Sequence, residues 1–204
     1  MALLPIFCVL ACLAPDTSVD DNYEKESLPE ETQEGLAVNQ VTLLTSMGEI
    51  TIELNPEKAP ISVQNFIDYV DAGFYDGDDG LGLTTFHRII ADFMIQGGGF
   101  NLSGSKKETR PAISNEGSNG LLNVRGSVAM ARTSDPNSAT SQFFINHIDN
   151  AFLDYVDDNN PGYAVFGQVI AGMDVVDAIA TVTTDANDAP LEPVVIEDVA
   201  RWND

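Results

Sequence analysis

Arg88 and Gln96 are of types that could do chemistry, and both lie in apolar surroundings, among Phe86, Ile89, Ile90, Phe93, Met94 and Ile95. A guanidinium is a rigid fork of donors that stays charged, and a glutamine amide offers both donor and acceptor. Together they can hold the oxygen and nitrogen atoms of a ligand in one orientation. Burying a guanidinium without a partner is costly. The arrangement therefore implies either an internal carboxylate or a concave site in which the donors meet a ligand, and from these residues alone both readings stand. Gly97, Gly98 and Gly99 then permit a sharp backbone change or a close approach.

Other residues with reactive or ligating side chains are sparse. His87 and His147 are the only histidines, and Cys8 and Cys12 the only cysteines. With no cysteine near either histidine, no metal site and no thiol chemistry are expected in the body of the chain. The run from Asp157 to Gly162 lacks the spacing and terminal glutamate of a calcium loop and reads as a turn. Asn101-Leu102-Ser103 fits a glycosylation sequon, which means little in a bacterial cell.

The elements that must carry Arg88 and Gln96 follow from periodicity. Val41 to Leu54 reads as two strands around Met47-Gly48, and alternation is clearest at Ile50, Ile52 and Leu54. Pro60 opens a helical pattern in which Val63, Phe66, Ile67 and Val70 recur at three- and four-residue steps, and Gly73 closes it. Thr84 to Asn101 reads as strand, turn, strand. Further strands are expected at Gly126–Arg132, Gln142–His147, Tyr163–Ile170 and Val194–Trp202, with a second helix over Met173–Ile179. Many short strands with two helices far apart in sequence predict a mostly β fold, a closed antiparallel β-barrel with helices covering its ends.

The chain has 204 residues, 44% of them hydrophobic, and a net charge of −23. Such acidity argues against a nucleic-acid partner, which requires a basic footprint, and disfavours self-association, so a monomer is expected. The charge is concentrated in part between 15 and 39, where Lys25 is the one base against Asp16, Asp20, Asp21, Glu24, Glu26, Glu30, Glu31 and Glu34. This segment reads as an acidic disordered tether. Ahead of it, residues 1–14 carry an apolar run of signal-peptide length, too short to span a bilayer. Val9-Leu10-Ala11-Cys12 resembles a bacterial lipobox, which makes Cys12 a tentative lipidation site and membrane attachment point. The expected organisation is export signal, tether, and a domain over 40–204, placed in the periplasm or cell envelope.

Several long motifs in this domain resemble the cyclophilin-type peptidyl-prolyl cis-trans isomerases. They are Phe86-His87-Arg88-Ile89-Ile90, Phe93-Met94-Ile95-Gln96-Gly97-Gly98, Ala129-Met130-Ala131-Arg132, Ser141-Gln142-Phe143-Phe144-Ile145-Asn146 and Tyr163-Ala164-Val165-Phe166-Gly167. The segment Ala131–Asn146 is similar to the periplasmic bacterial branch. The resemblance covers about Val41 to Trp202 and implies an eight-stranded barrel capped by two helices, acting without cofactor or metal on proline-containing unfolded or partly folded polypeptides. It implies that Arg88 is the catalytic arginine and Gln96 the glutamine that holds the substrate backbone. By the same resemblance Phe93, Met94, Phe143 and Leu153 form the proline pocket, and Ala131, Arg132, Gln142, Phe152 and Tyr163 complete the substrate-binding set. Tyr163 stands where cyclosporin-sensitive members carry histidine and Phe152 where they carry tryptophan, and the latter departure implies weak cyclosporin binding.

The residues suit the reaction that the resemblance implies. Amide resonance imposes a barrier of roughly 18–20 kcal/mol on rotation before proline, although the two isomers differ by only about 0.5–1 kcal/mol. Rotation needs no nucleophile; it needs an environment that favours the twisted amide, whose nitrogen regains a lone pair. A guanidinium near that nitrogen stabilises the twisted state more than the planar one, and a glutamine holding the flanking backbone confines rotation to one bond. The expected function is folding assistance to exported or envelope proteins as a rotamase and chaperone. A proline-peptide-binding module or holdase with little turnover is the alternative.

Overall fold

The computed structural model describes residues 39–202; the expected export signal, Cys12 and nearly all of the acidic tether lie outside the described residues. Eight strands form one antiparallel sheet: β1 (Gln40–Thr45), β2 (Gly48–Leu54), β3 (Thr84–Ile90), β4 (Met94–Asn101), β5 (Ser127–Met130), β6 (Phe143–Asn146), β7 (Val165–Ala171) and β8 (Ile196–Trp202). Their spatial order is β3-β4-β6-β5-β7-β2-β1-β8. The sheet curls into a half-barrel, so its two edge strands approach one another: Thr85 bridges Val195, and the Phe86 N–H donates to Val194 O at 2.9 Å. The expected hairpin at 41–54 is present, pairing Val41 with Ile52 and Leu43 with Ile50. Ile50 and Ile52 are fully buried and Leu54 nearly so, as the alternation requires.

Two helices complete the fold, as the helical spacings predict. Helix α1 (Pro60–Val70) takes proline in its first turn and buries Val63, Phe66, Ile67 and Val70; it packs against β7. Helix α2 (Met173–Ala180) buries Val176, Ile179 and Ala180 and packs against β2, β3 and β4.

Apolar residues segregate into two clusters, one on each face of the sheet. The larger fills the concave side, where Phe66, Tyr75, Phe86, Phe143 and Phe166 meet Ile50, Ile52 and Ile95. The smaller lies on the outer face of β4, β5, β6 and β7 and consists of Met94, Ala129, Phe144, Leu153 and Val165, with Ile90, Phe93, Leu121, Ala131 and Tyr163 packed around it. Among the described residues, no helix is long and apolar enough to cross a membrane.

Candidate active site

The site is built on the outer face, and a bulge in β3 aims Arg88 at it. Phe86 pairs with Gly97 and Arg88 with Gln96, so β3 spends two steps where β4 spends one, with His87 as the extra residue. Without the bulge Phe86 and Arg88 would share a face. With it, Phe86 and Ile89 enter the main core while Arg88 turns outward. Register then carries the line across the sheet: Arg88 lies opposite Gln96, Gln96 opposite Phe144, Phe144 opposite Ala129, and Ala129 opposite Val165.

This row borders a cavity of about 120 Å³ lined by Arg88, Phe93, Met94, Gln96, Ala131, Arg132, Phe144, Leu153 and Tyr163. Pockets that enclose whole small molecules are several-fold larger, roughly 300–1,000 Å³. A cavity of this size takes one small ring and leaves the rest of a ligand on the surface. Phe144 and Tyr163 meet edge to face at 5.7 Å. Arg132 lies over the Tyr163 ring at 4.3 Å, and its guanidinium donates to Gly162 O and Thr133 O. The Arg132 head is thus spent on bracing a wall. Ala131 likewise donates its N–H to Gln142 O at 3.0 Å.

Arg88 satisfies both readings of its surroundings. Asp188 Oδ2 lies 3.4 Å from its Nε, and both side chains are 42% exposed. A pair so open and so long contributes about 0–1 kcal/mol, so the carboxylate steadies one edge of the fork while the guanidinium borders the cavity. Asp188 holds a left-handed backbone, φ 63°, and its carbonyl accepts the Ile89 N–H at 2.8 Å, which places it beside β3.

Gln96 is held from the other side. Its Nε2 donates to Gln142 Oε1 at 2.9 Å, which leaves the Gln96 carbonyl oxygen for a ligand N–H. Room for Gln142 comes from Gly99, where an added Cβ would overlap its Cγ and come within 2.5 Å of its Cδ and Nε2. Gly98 is required for a different reason: its φ is +76°, and a Cβ there would come within 2.7 Å of the Tyr75 ring. Replacing Gly99 with alanine is expected to push Gln142 off Gln96 and lower kcat/KM by about three- to tenfold, the worth of one ordinary hydrogen bond. Steady activity in that variant would show that the Gln142 contact does not position Gln96. His87 packs on Phe100 at 4.6 Å. Burial pushes its imidazole below the ordinary histidine range, opposed by contacts with the Thr85 backbone and the Gln142 side chain, so it is neutral at pH 7.

Eight of the eleven residues expected at the site line this cavity: Arg88, Phe93, Met94, Gln96, Ala131, Arg132, Leu153 and Tyr163. Gln142 stands behind Gln96. Phe152 is a rim residue, 68% exposed and stacked on Phe93 at 5.6 Å. Phe143 is a correction: it is fully buried in the main core against Phe66, Tyr75 and Phe86, and its neighbour Phe144 lines the cavity instead. Successive residues of a strand face opposite sides, so only one of the two can reach the outer face. Phe144 and Asp188 were not read from the sequence. Among the described residues no group of three or more His, Cys, Asp and Glu side chains is placed to hold a metal ion.

Residues 40–201 match the family model described as cyclophilin type peptidyl-prolyl cis-trans isomerase/CLD. The chain is 51% identical over 161 residues to peptidyl-prolyl cis-trans isomerase A of Dickeya dadantii, covering 77% of this chain and 81% of that one. It is 48% identical over 165 residues to peptidyl-prolyl cis-trans isomerase B of Escherichia coli, covering 78% and 97%. Among solved structures, a cyclophilin-type isomerase of Cryptosporidium parvum crystallised in the presence of the dipeptide Ala-Pro superposes with a TM-score of 0.65 at 26% identity, covering 79% and 98%.

Proposed function

The chain belongs to the cyclophilin-type peptidyl-prolyl cis-trans isomerases, and from that premise we propose that Arg88 stabilises the twisted Xaa-Pro amide while Gln96 holds the flanking backbone. The observation that carries this reading is the pairing of Arg88 with Gln96 directly across β3 and β4, at the edge of a cavity sized for one ring. Phe93, Met94, Phe144 and Leu153 supply the apolar walls that would grip a pyrrolidine ring. With the ring fixed and the backbone on one side held by the Gln96 carbonyl, rotation is confined to the prolyl bond. The Arg88 fork donates to the prolyl nitrogen as it turns pyramidal, an interaction absent from the planar ground state. The Ala-Pro dipeptide present with the Cryptosporidium parvum relative is of the class such a cavity would take.

The substrates proposed are proline-containing segments of unfolded or partly folded exported proteins, met in the periplasm or cell envelope. The apolar leader supports export, and the Val9-Leu10-Ala11-Cys12 motif supports anchoring through a lipidated Cys12. The presence of both Arg88 and Gln96 at the ring cavity weighs against a binding module with little turnover. Exchange between the cis and trans signals of a short Xaa-Pro peptide tests the activity: faster exchange with protein supports it, and unchanged exchange with folded protein removes it. The intact mass of the mature protein tests the export reading, since cleavage before Cys12 and added acyl chains would each change it.

A further inference from the structure

The hairpin β3–β4 carries Arg88 and Gln96 in its body and Phe93 and Met94 beside its tip. The tip itself is exposed, and Asp92 there adopts φ 56°, a left-handed conformation that an L side chain adopts at a cost. Aspartate tolerates that conformation better than most residues, and hydrogen bonds from residues that follow β6 fix the tip. We propose that His147 is the positioning residue for this tip, gripping the peptide groups on either side of the Asp92–Phe93 peptide so that the Phe93 ring is presented to the proline cavity. The proposal rests on the isomerase reading above.

The grip is double. His147 Nδ1 accepts the Asp92 N–H at 3.1 Å, and the His147 N–H donates to Phe93 O at 2.9 Å. Asn150 Nδ2 donates to the same Phe93 oxygen at 2.9 Å. Since a nitrogen that accepts an N–H carries no proton of its own, the ring proton lies on Nε2. That edge faces Asp177 Oδ1 of α2 at 3.2 Å, and the imidazole is 12% exposed. Arg125 closes the arrangement: it donates to Asp177 Oδ2 at 2.9 Å and to His147 O at 2.7 Å. Asp177 Oδ1 also lies 2.8 Å from Arg125 Nη1, so the carboxylate faces both the guanidinium and the imidazole, and the His147 ring bond that reaches the hairpin tip is the one to Asp92. The Arg125 guanidinium, more than the imidazole, holds the Asp177 carboxyl below the usual carboxylate range and keeps it ionised.

The peptide between Asp92 and Phe93 lies between the two gripped groups, with its own N–H donating to Ile90 O at 3.2 Å, and it sets the direction in which the Phe93 side chain leaves the backbone. Loosening it disturbs the grip on a proline ring. Arg88, deeper in the hairpin and opposite Gln96, is held by the strand ladder and is disturbed less. The expected signature is therefore a rise in KM with kcat nearly kept.

Three substitutions in the full chain separate the imidazole's two edges. In His147→Asn, Oδ1 can take the place of Nδ1 and still accept the Asp92 N–H. In His147→Gln, the amide reaches toward Asp177 and leaves the Asp92 N–H without its acceptor; His147→Leu serves neither. With a short Xaa-Pro peptide, His147→Gln and His147→Leu are expected to raise KM about three- to tenfold, the worth of one hydrogen bond. Their kcat should change less than about twofold, and His147→Asn should behave as wild type. Wild-type KM in His147→Gln, or equal impairment of His147→Asn and His147→Gln, would overturn the proposal. A nitrogen–nitrogen coupling across the hydrogen bond, measured by NMR between the Asp92 amide and His147 Nδ1 in the wild type, tests the contact without any variant, and its absence would also overturn it. A wild type that shows this coupling but no turnover would instead remove the isomerase reading.

Discussion

Replacing Arg88 with alanine is expected to lower kcat/KM for a short Xaa-Pro peptide by about 10²–10³-fold, the cost of deleting one preorganised donor aimed at developing charge. A rate gain of about 10⁵ over the uncatalysed rotation corresponds to roughly 7 kcal/mol, so this residue would carry about half of it. The fold should be indifferent. The Arg88 side chain is 42% exposed, and its ion pair with Asp188 is worth about 0–1 kcal/mol. For a domain of this size that is a shift in Tm of at most about 4 °C. Arg88→Lys should fall between the two, because a point charge on a flexible stem keeps the sign and loses the fork. Thermal denaturation beside a cis-trans exchange assay separates the effects. Activity within threefold of wild type in a folded Arg88→Ala protein would show that the cavity walls, not the guanidinium, accelerate rotation.

Arg88 also shows how much of the site the sequence disclosed. A long donor among apolar residues was visible in the chain, and so was its proximity to Gln96 on the far side of a turn. What turns Arg88 outward was not. Simple alternation puts Phe86 and Arg88 on one face, and the bulge at His87 that separates them has no residue signature of its own. Asp188 lies a hundred positions further on, in an exposed loop, and reaches Arg88 only because the half-barrel brings the loop before β8 beside β3. Strands that bury one face, such as β2, were legible from Ile50, Ile52 and Leu54. Strands β5 and β6 bury every residue, because the main core lies on one side and the smaller cluster on the other. In Phe143-Phe144 hydrophobicity therefore says nothing about which ring faces the site.

The two rings give the second large prediction, since one substitution should damage stability and its neighbour binding. Phe143 is fully buried, with edge-on contacts to Phe66 at 5.5 Å, Tyr75 at 5.7 Å and Phe86 at 6.1 Å. Phe143→Ala should cost about 3–5 kcal/mol. At about 2–4 °C per kcal/mol, Tm should fall by about 6–20 °C. Its folded fraction should still bind peptide, because the ring lies behind the sheet and not in the cavity. Phe144→Ala removes a wall shared with Met94, Leu153 and Tyr163. Burying a ligand ring against a phenyl group is worth about 1.5–3 kcal/mol, so kcat/KM should fall by roughly 10–100-fold, chiefly through KM. Its effect on Tm should be the smaller of the two, since the outer cluster contains far fewer buried side chains than the main core. Melting curves and Michaelis parameters for the pair decide the matter. If Phe143→Ala lost substrate binding while Phe144→Ala lost stability, the outer-face assignment of the site would be reversed, and with it the row that joins Arg88, Gln96 and Phe144.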